Sequence, residues 1–153
     1  TVRGTYIQSD VQQWDRTTGE RVTPASDSSK SAEKQRIYGV SANLDIDEWF
    51  VRSEYSVFDR NGYSYKSKAY MLGVGRRFGD FTAMLTHTRY AETNRFTPDA
   101  IQRDSGDSAT LRYELGPSTA LKLQWDRFRD RSGADLSYVG NSRLLSVSID
   151  TLF

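Results

Sequence analysis

Apolar and polar residues alternate along most of this chain, with a period of two. The last stretch, Leu144 to Phe153, sets the pattern. Leu145, Val147, Ile149, Thr151 and Phe153 form one set, with Ser146, Ser148 and Asp150 between them. This describes a strand with one apolar and one polar face. A helix would gather Leu145, Ile149 and Leu152 into a stripe. It would leave Val147 off that stripe, and it would hold β-branched residues, Ser and Asp where helices disfavour them.

The same alternation recurs upstream. Residues 36–46 place Tyr38, Val40, Ala42, Leu44 and Ile46 on one face, with Gly39, Ser41, Asn43 and Asp45 on the other. In 49–58, Trp49, Val51, Ser53, Tyr55 and Val57 oppose Arg52, Glu54 and Ser56. In 67–78, Tyr70, Leu72 and Val74 oppose Met71, Gly73, Gly75 and Arg77. Arg76 falls on the apolar side near the strand end, where a long side chain can snorkel. Residues 81–90, 108–115 and 119–128 repeat the pattern, the last with Leu121, Leu123 and Trp125 against Lys122, Gln124 and Asp126. Residues 1–14 are extended but ambiguous. Val2, Gly4 and Tyr6 share one face, and Thr5, Ile7 and Val11 the other.

About eight strands follow, and their connections alternate in length. Residues 15–35, 59–66, 91–107 and 130–141 read as long loops. Residues 45–48, 79–80 and 116–118 read as tight turns. Long loops on one side and short turns on the other predict a transmembrane antiparallel up-and-down β-barrel, all-β, with residues 1–153 as one unit. The long loops are then extracellular. Trp49, Phe78, Phe81 and Phe153 lie beside the short turns or the terminus, and Tyr55, Tyr70 and Trp125 lie towards the long loops. Two aromatic belts suit the two interfaces of a membrane. Lipocalins and sandwiches alternate in the same way with the apolar face inward, so alternation alone does not decide which face is wet. The turn asymmetry and the aromatic ends favour the membrane. Tyr38, Val40, Leu44, Leu72, Leu111, Leu123, Val147 and Ile149 are then expected to face lipid.

Composition agrees. Hydrophobic residues make up 37% and mean hydropathy is −0.68, poor for a soluble core. A barrel with a polar interior and polar loops needs no more. Lys and Arg number 21 against 20 Asp and Glu, so the chain lacks the basic excess of a nucleic-acid binder. There is no cysteine. No apolar run approaches the roughly 20 residues of a membrane helix. The chain opens on Thr1 with no visible leader, which predicts a processed product or part of something longer.

Catalytic chemistry is sparse, and no enzyme, cofactor or metal is expected. His87 is the single histidine and shows no partner at a recognisable spacing. Asp45, Asp47 and Glu48 lack the twelve-residue calcium-loop pattern and read as solvated turn acids. Gly73-x-Gly75 lies within a strand with no helix after it, so it is no phosphate loop. These small inward residues are expected to make room for bulky neighbours across the lumen.

YMLGVGRRFGDFTAMLTHTRY, SATLRYELGPSTALKLQWDRF and RLLSVSIDTLF together resemble the C-terminal part of Gram-negative outer-membrane porin-like proteins. The resemblance covers roughly residues 36 to 153. It implies a bacterial outer-membrane channel for passive diffusion of small hydrophilic solutes. It also implies Phe153 as an assembly signal. The partners implied are membrane lipid and lipopolysaccharide, the outer-membrane assembly machinery, the solutes themselves and a homo-oligomer, with no nucleic acid. Such proteins have around sixteen strands. The chain is therefore expected to be the last half of a larger barrel rather than a small one. The candidate pore-lining residues are Arg52, Glu54, Arg77, Arg112, Glu114, Lys122, Asp126 and Asp150, all on the polar face. A charge facing lipid at mid-membrane costs roughly 2–4 kcal/mol, so this face must line water or a paired interior. In a wide barrel these groups sort solutes by charge. In an eight-stranded one they pair into a plug. The alternative function is a non-conducting barrel that anchors or scaffolds a partner protein.

Overall fold

In the computed structural model, residues 1–22, 33–60, 65–94, 101–132 and 140–152 are described. They form strands only. In order these are β1 (Val2–Val11), β2 (Gln13–Trp14), β3 (Arg21–Val22), β4 (Glu33–Ile46), β5 (Trp49–Arg60), β6 (Tyr65–Phe78), β7 (Phe81–Asn94), β8 (Ile101–Gly116), β9 (Thr119–Asp130) and β10 (Ser142–Thr151). Eight build one antiparallel up-and-down sheet in the order β1-β4-β5-β6-β7-β8-β9-β10. β2 and β3 pair separately as a short ribbon. Part of the expected 15–35 loop is thus a small hairpin. Asp15 accepts hydrogen bonds from the backbone N–H groups of Thr17 (2.7 Å) and Thr18 (3.2 Å), which fixes its turn.

The tight turns are built by local backbone chemistry. Asp47 and Gly79 take positive φ angles of 52° and 57°. A left-handed residue lets a two-residue turn follow the twist of its strands. Ile46 then faces Trp49, and Phe78 faces Phe81. The third turn carries a register irregularity between Glu114 and Gly116, a bulge beside Pro117. At the other end the strands run further than expected. β7 reaches Asn94 and β8 begins at Ile101, so residues 91–94 and 101–107 are laddered rather than looped. Likewise β5 extends to Arg60, β6 starts at Tyr65 and β9 ends at Asp130. Backbone pairing continues there although the side chains no longer alternate between apolar and polar.

Register decides which residues share a face. One cross-strand row is apolar throughout: Leu44, Val51, Val74, Leu85, Ala109, Trp125 and Leu145. The eight residues expected to face lipid all lie on this face, between 39% and 68% exposed. Among the described residues only Phe50, Val57 and Ala120 are buried apolar ones. No second layer covers the apolar face among the described residues. Its short-turn end carries an aromatic run, in which Phe78 stacks on Phe81 (5.8 Å) and Phe81 on Tyr113 (4.6 Å). Arg76 bonds Glu48 at 2.8 Å and lies over the Trp49 ring at 5.4 Å.

The sheet is open. β1 pairs only with β4, and β10 only with β9.

Candidate functional site: the charged face

Two clusters of charge lie on the polar face of the sheet, near its short-turn end. Asp45, next to the first tight turn, accepts from Arg52 at 2.9 Å and Arg77 at 3.0 Å. Both guanidinium groups lie over the Phe50 ring, at 5.0 and 4.7 Å from its centroid. Cation–π contact adds to the ion pairs and fixes the planes of both arginines. Arg52 also donates to the carbonyls of Leu44 and Val51. Phe50 occupies the space over Gly75. Gly73 is covered by the Met84 methyl in the same way. These glycines therefore make room for side chains of adjacent strands lying along the wall, a correction to the expected neighbours across the lumen.

A second cluster lies across β8, β9 and β10. Arg112 binds Glu114 through two nitrogens, at 2.7 and 3.3 Å, and reaches Asp150 at 3.2 Å. Lys122 stands directly opposite Arg112 on one side and Ser148 on the other. It makes no ion pair with a described residue. The structure thus brings together Arg52 with Arg77, and Arg112 with Glu114, Asp150 and Lys122.

Glu54 and Asp126 stand apart from both clusters. Asp126 accepts from Gln124 (2.9 Å) and Ser108. Glu54 has no hydrogen-bond partner among the described residues and borders a hollow of about 320 Å³, with Met71, Tyr90, Asp104 and Phe128. Phe153 lies outside the described residues.

Two participants escaped the sequence reading. Asp45 was visible on the polar side of its strand, but its role needed the hairpin that swings Arg52 back beside it. Phe50 was hidden because an aromatic on a polar face breaks the binary pattern. His87, without a partner in sequence, bonds Asp107 at 2.7 Å on the apolar face, and Tyr70 sits 5.9 Å from its ring. Asp47 and Glu48 do not join Asp45. Glu48 turns to Arg76 instead.

No family model, curated protein or solved structure matches this chain.

Proposed function

We propose that this sheet is a section of the wall of a porin-like β-barrel in a bacterial outer membrane, through which small hydrophilic solutes diffuse passively. The depth of the apolar face supports this reading above all. On β4, β5 and β6 that face runs from Ile46 to Tyr38, from Trp49 to Val57 and from Phe78 to Tyr70, nine residues each. Beyond it stand Arg36, Asp59 and Lys68. A membrane-spanning strand needs about 9–11 residues. At about 3.3 Å per residue and a tilt near 40°, nine residues rise about 23 Å, close to the apolar band of about 25 Å in known barrels.

Lipid offers no hydrogen bonds, so no strand edge can stand open in it. Within the membrane, β1 and β10 each take a further strand, and the sheet belongs to a barrel wider than eight strands. The charged clusters then border water. Their ion pairs run along the wall, within β8 and across one or two strands.

Conductance tests the proposal. The barrel, reconstituted into planar bilayers, should give discrete conductance steps. Replacing Arg52, Arg112 and Lys122 together by Gln should lower the chloride-to-potassium permeability ratio. A unit charge at 4 Å in water is worth about 1 kcal/mol before screening, so a change of roughly threefold is expected. Lys122, the one without an ion pair among these three, should contribute most. Protein that inserts but passes no ions would overturn the pore and leave the scaffold.

A further inference from the structure

We infer that the inward wall carries, towards its long-loop end, a subsite for an organic ammonium ion. The inference rests on the barrel reading above, in which this face borders water, and not on conduction. Charge is divided along the wall. The arginines of the two clusters, with Lys122, stand towards the short-turn end, and Glu54, Glu92 and Asp104 stand beyond them. Arg52, two residues below Glu54, turns away from it to Asp45 at 2.9 Å. Beyond Glu54, Arg60 is the one cation that the register places on this face among the described residues of the eight-stranded sheet. It is held over the Phe58 ring at 4.8 Å and donates to Gln35 at 3.1 Å.

The hollow of about 320 Å³ lies among these acids. Its floor is low because the residues there are small. Ala69 stands opposite Tyr90, and Gly106 opposite Thr88, where a Cβ would come within 2.7 Å of the Thr88 hydroxyl. Its rim is polar and aromatic. Glu54 faces Met71 on one side, and Tyr90 faces Asp104 on the other. Phe128 stands next to Gly106 on β9. The Tyr90 hydroxyl donates to Glu92 at 2.6 Å, which fixes its ring. Arg89 also borders the hollow, but by register it belongs to the outward row, between Tyr70 and Ser105.

This lining selects the ligand. Glu54 and Asp104 stand three strands apart, about 14 Å at some 4.8 Å per strand, too far to chelate one metal ion. A neutral solute gains nothing from two carboxylates with no ion-pair partner. An organic cation uses the whole lining. Its charge is attracted from both ends of the hollow and by the faces of Tyr90 and Phe128, while Met71 and Ala69 take its apolar body. The volume suits a small ion, at the lower end of the range of ligand pockets.

The test uses the barrel in dodecyl maltoside micelles, with choline as the probe. Saturable broadening of the choline N-methyl proton resonance measures binding, which should weaken as salt rises. Dimethylbutanol, the isostere with carbon in place of the charged nitrogen, should bind about tenfold more weakly. Glu54→Gln/Asp104→Asn should weaken choline binding about tenfold, and Tyr90→Leu and Phe128→Leu about threefold each. Glu54→Asp/Asp104→Glu keeps both charges and should keep most of the affinity, which separates lost charge from a misfolded wall. Asp47→Asn/Asp80→Asn, which removes as much charge from the short turns, should bind like the parent. The inference fails if choline does not bind, if dimethylbutanol binds equally well, if Glu54→Gln/Asp104→Asn changes nothing, or if the turn variant loses as much. Conductance is read separately in planar bilayers. A barrel that conducts without binding choline removes the subsite alone, and one that binds choline without conducting removes the pore alone.

Discussion

Leu85→Arg should abolish stable insertion, while Thr86→Arg, one residue along, should be tolerated. Leu85 is 68% exposed and sits between Val74 and Ala109 in the wholly apolar row. It lies four positions from Phe81 at the short-turn end and four from Arg89 at the other, near mid-band. An arginine facing lipid at that depth costs about 2–4 kcal/mol, a large share of the stability of a small domain. Thr86 points the other way, between Gly73 and Ser108, where a cation meets the polar wall. The membrane-fraction level of each variant, and its resistance to unfolding in detergent, gives the answer. Equal tolerance of both substitutions would place the apolar face against something other than lipid.

Much of the fold was legible because a strand with two different environments must alternate. Residues 36–46 show this best, since each apolar side chain there returns to one face. The signal failed where both sides of a strand become polar. Gln102, Arg103 and Asp104 carry no alternation, yet their backbones pair with β7 as regularly as those below. Reading Asp107 as a loop residue also hid the partner of His87, because that contact exists only once β7 and β8 are in register. The charged wall was legible residue by residue, as the polar halves of the alternating strands. Its pairing was not. Asp45 joins Arg52 around a hairpin and Arg77 from two strands away, and no local spacing encodes the second contact. Phe50 was overlooked for another reason. Polarity patterns assign faces by majority, and a lone aromatic on the charged face reads as noise until its glycine cradle is seen.

That cradle separates two glycines that sequence treats alike. Gly75→Ala should destabilise the protein by about 1–3 kcal/mol, the usual cost of overpacking, and Gly73→Ala by clearly less. A methyl group at Gly75 would overlap the tip and both flanking edge atoms of the Phe50 ring. The ring has little freedom to withdraw. It is only 7% exposed, and Arg52 and Arg77 are stacked on it. Displacing it disturbs both guanidinium groups and, through them, the Asp45 ion pairs. A methyl group at Gly73 would meet the terminal methyl of Met84, an unbranched chain that can change rotamer at small cost. Thermal or urea unfolding of the two variants in detergent measures the difference. Phe50→Leu placed on Gly75→Ala should recover part of the loss, because the shorter side chain clears the new methyl. If Gly75→Ala is no worse than Gly73→Ala, Phe50 is not locked in place, and the two arginines do not share a fixed aromatic support.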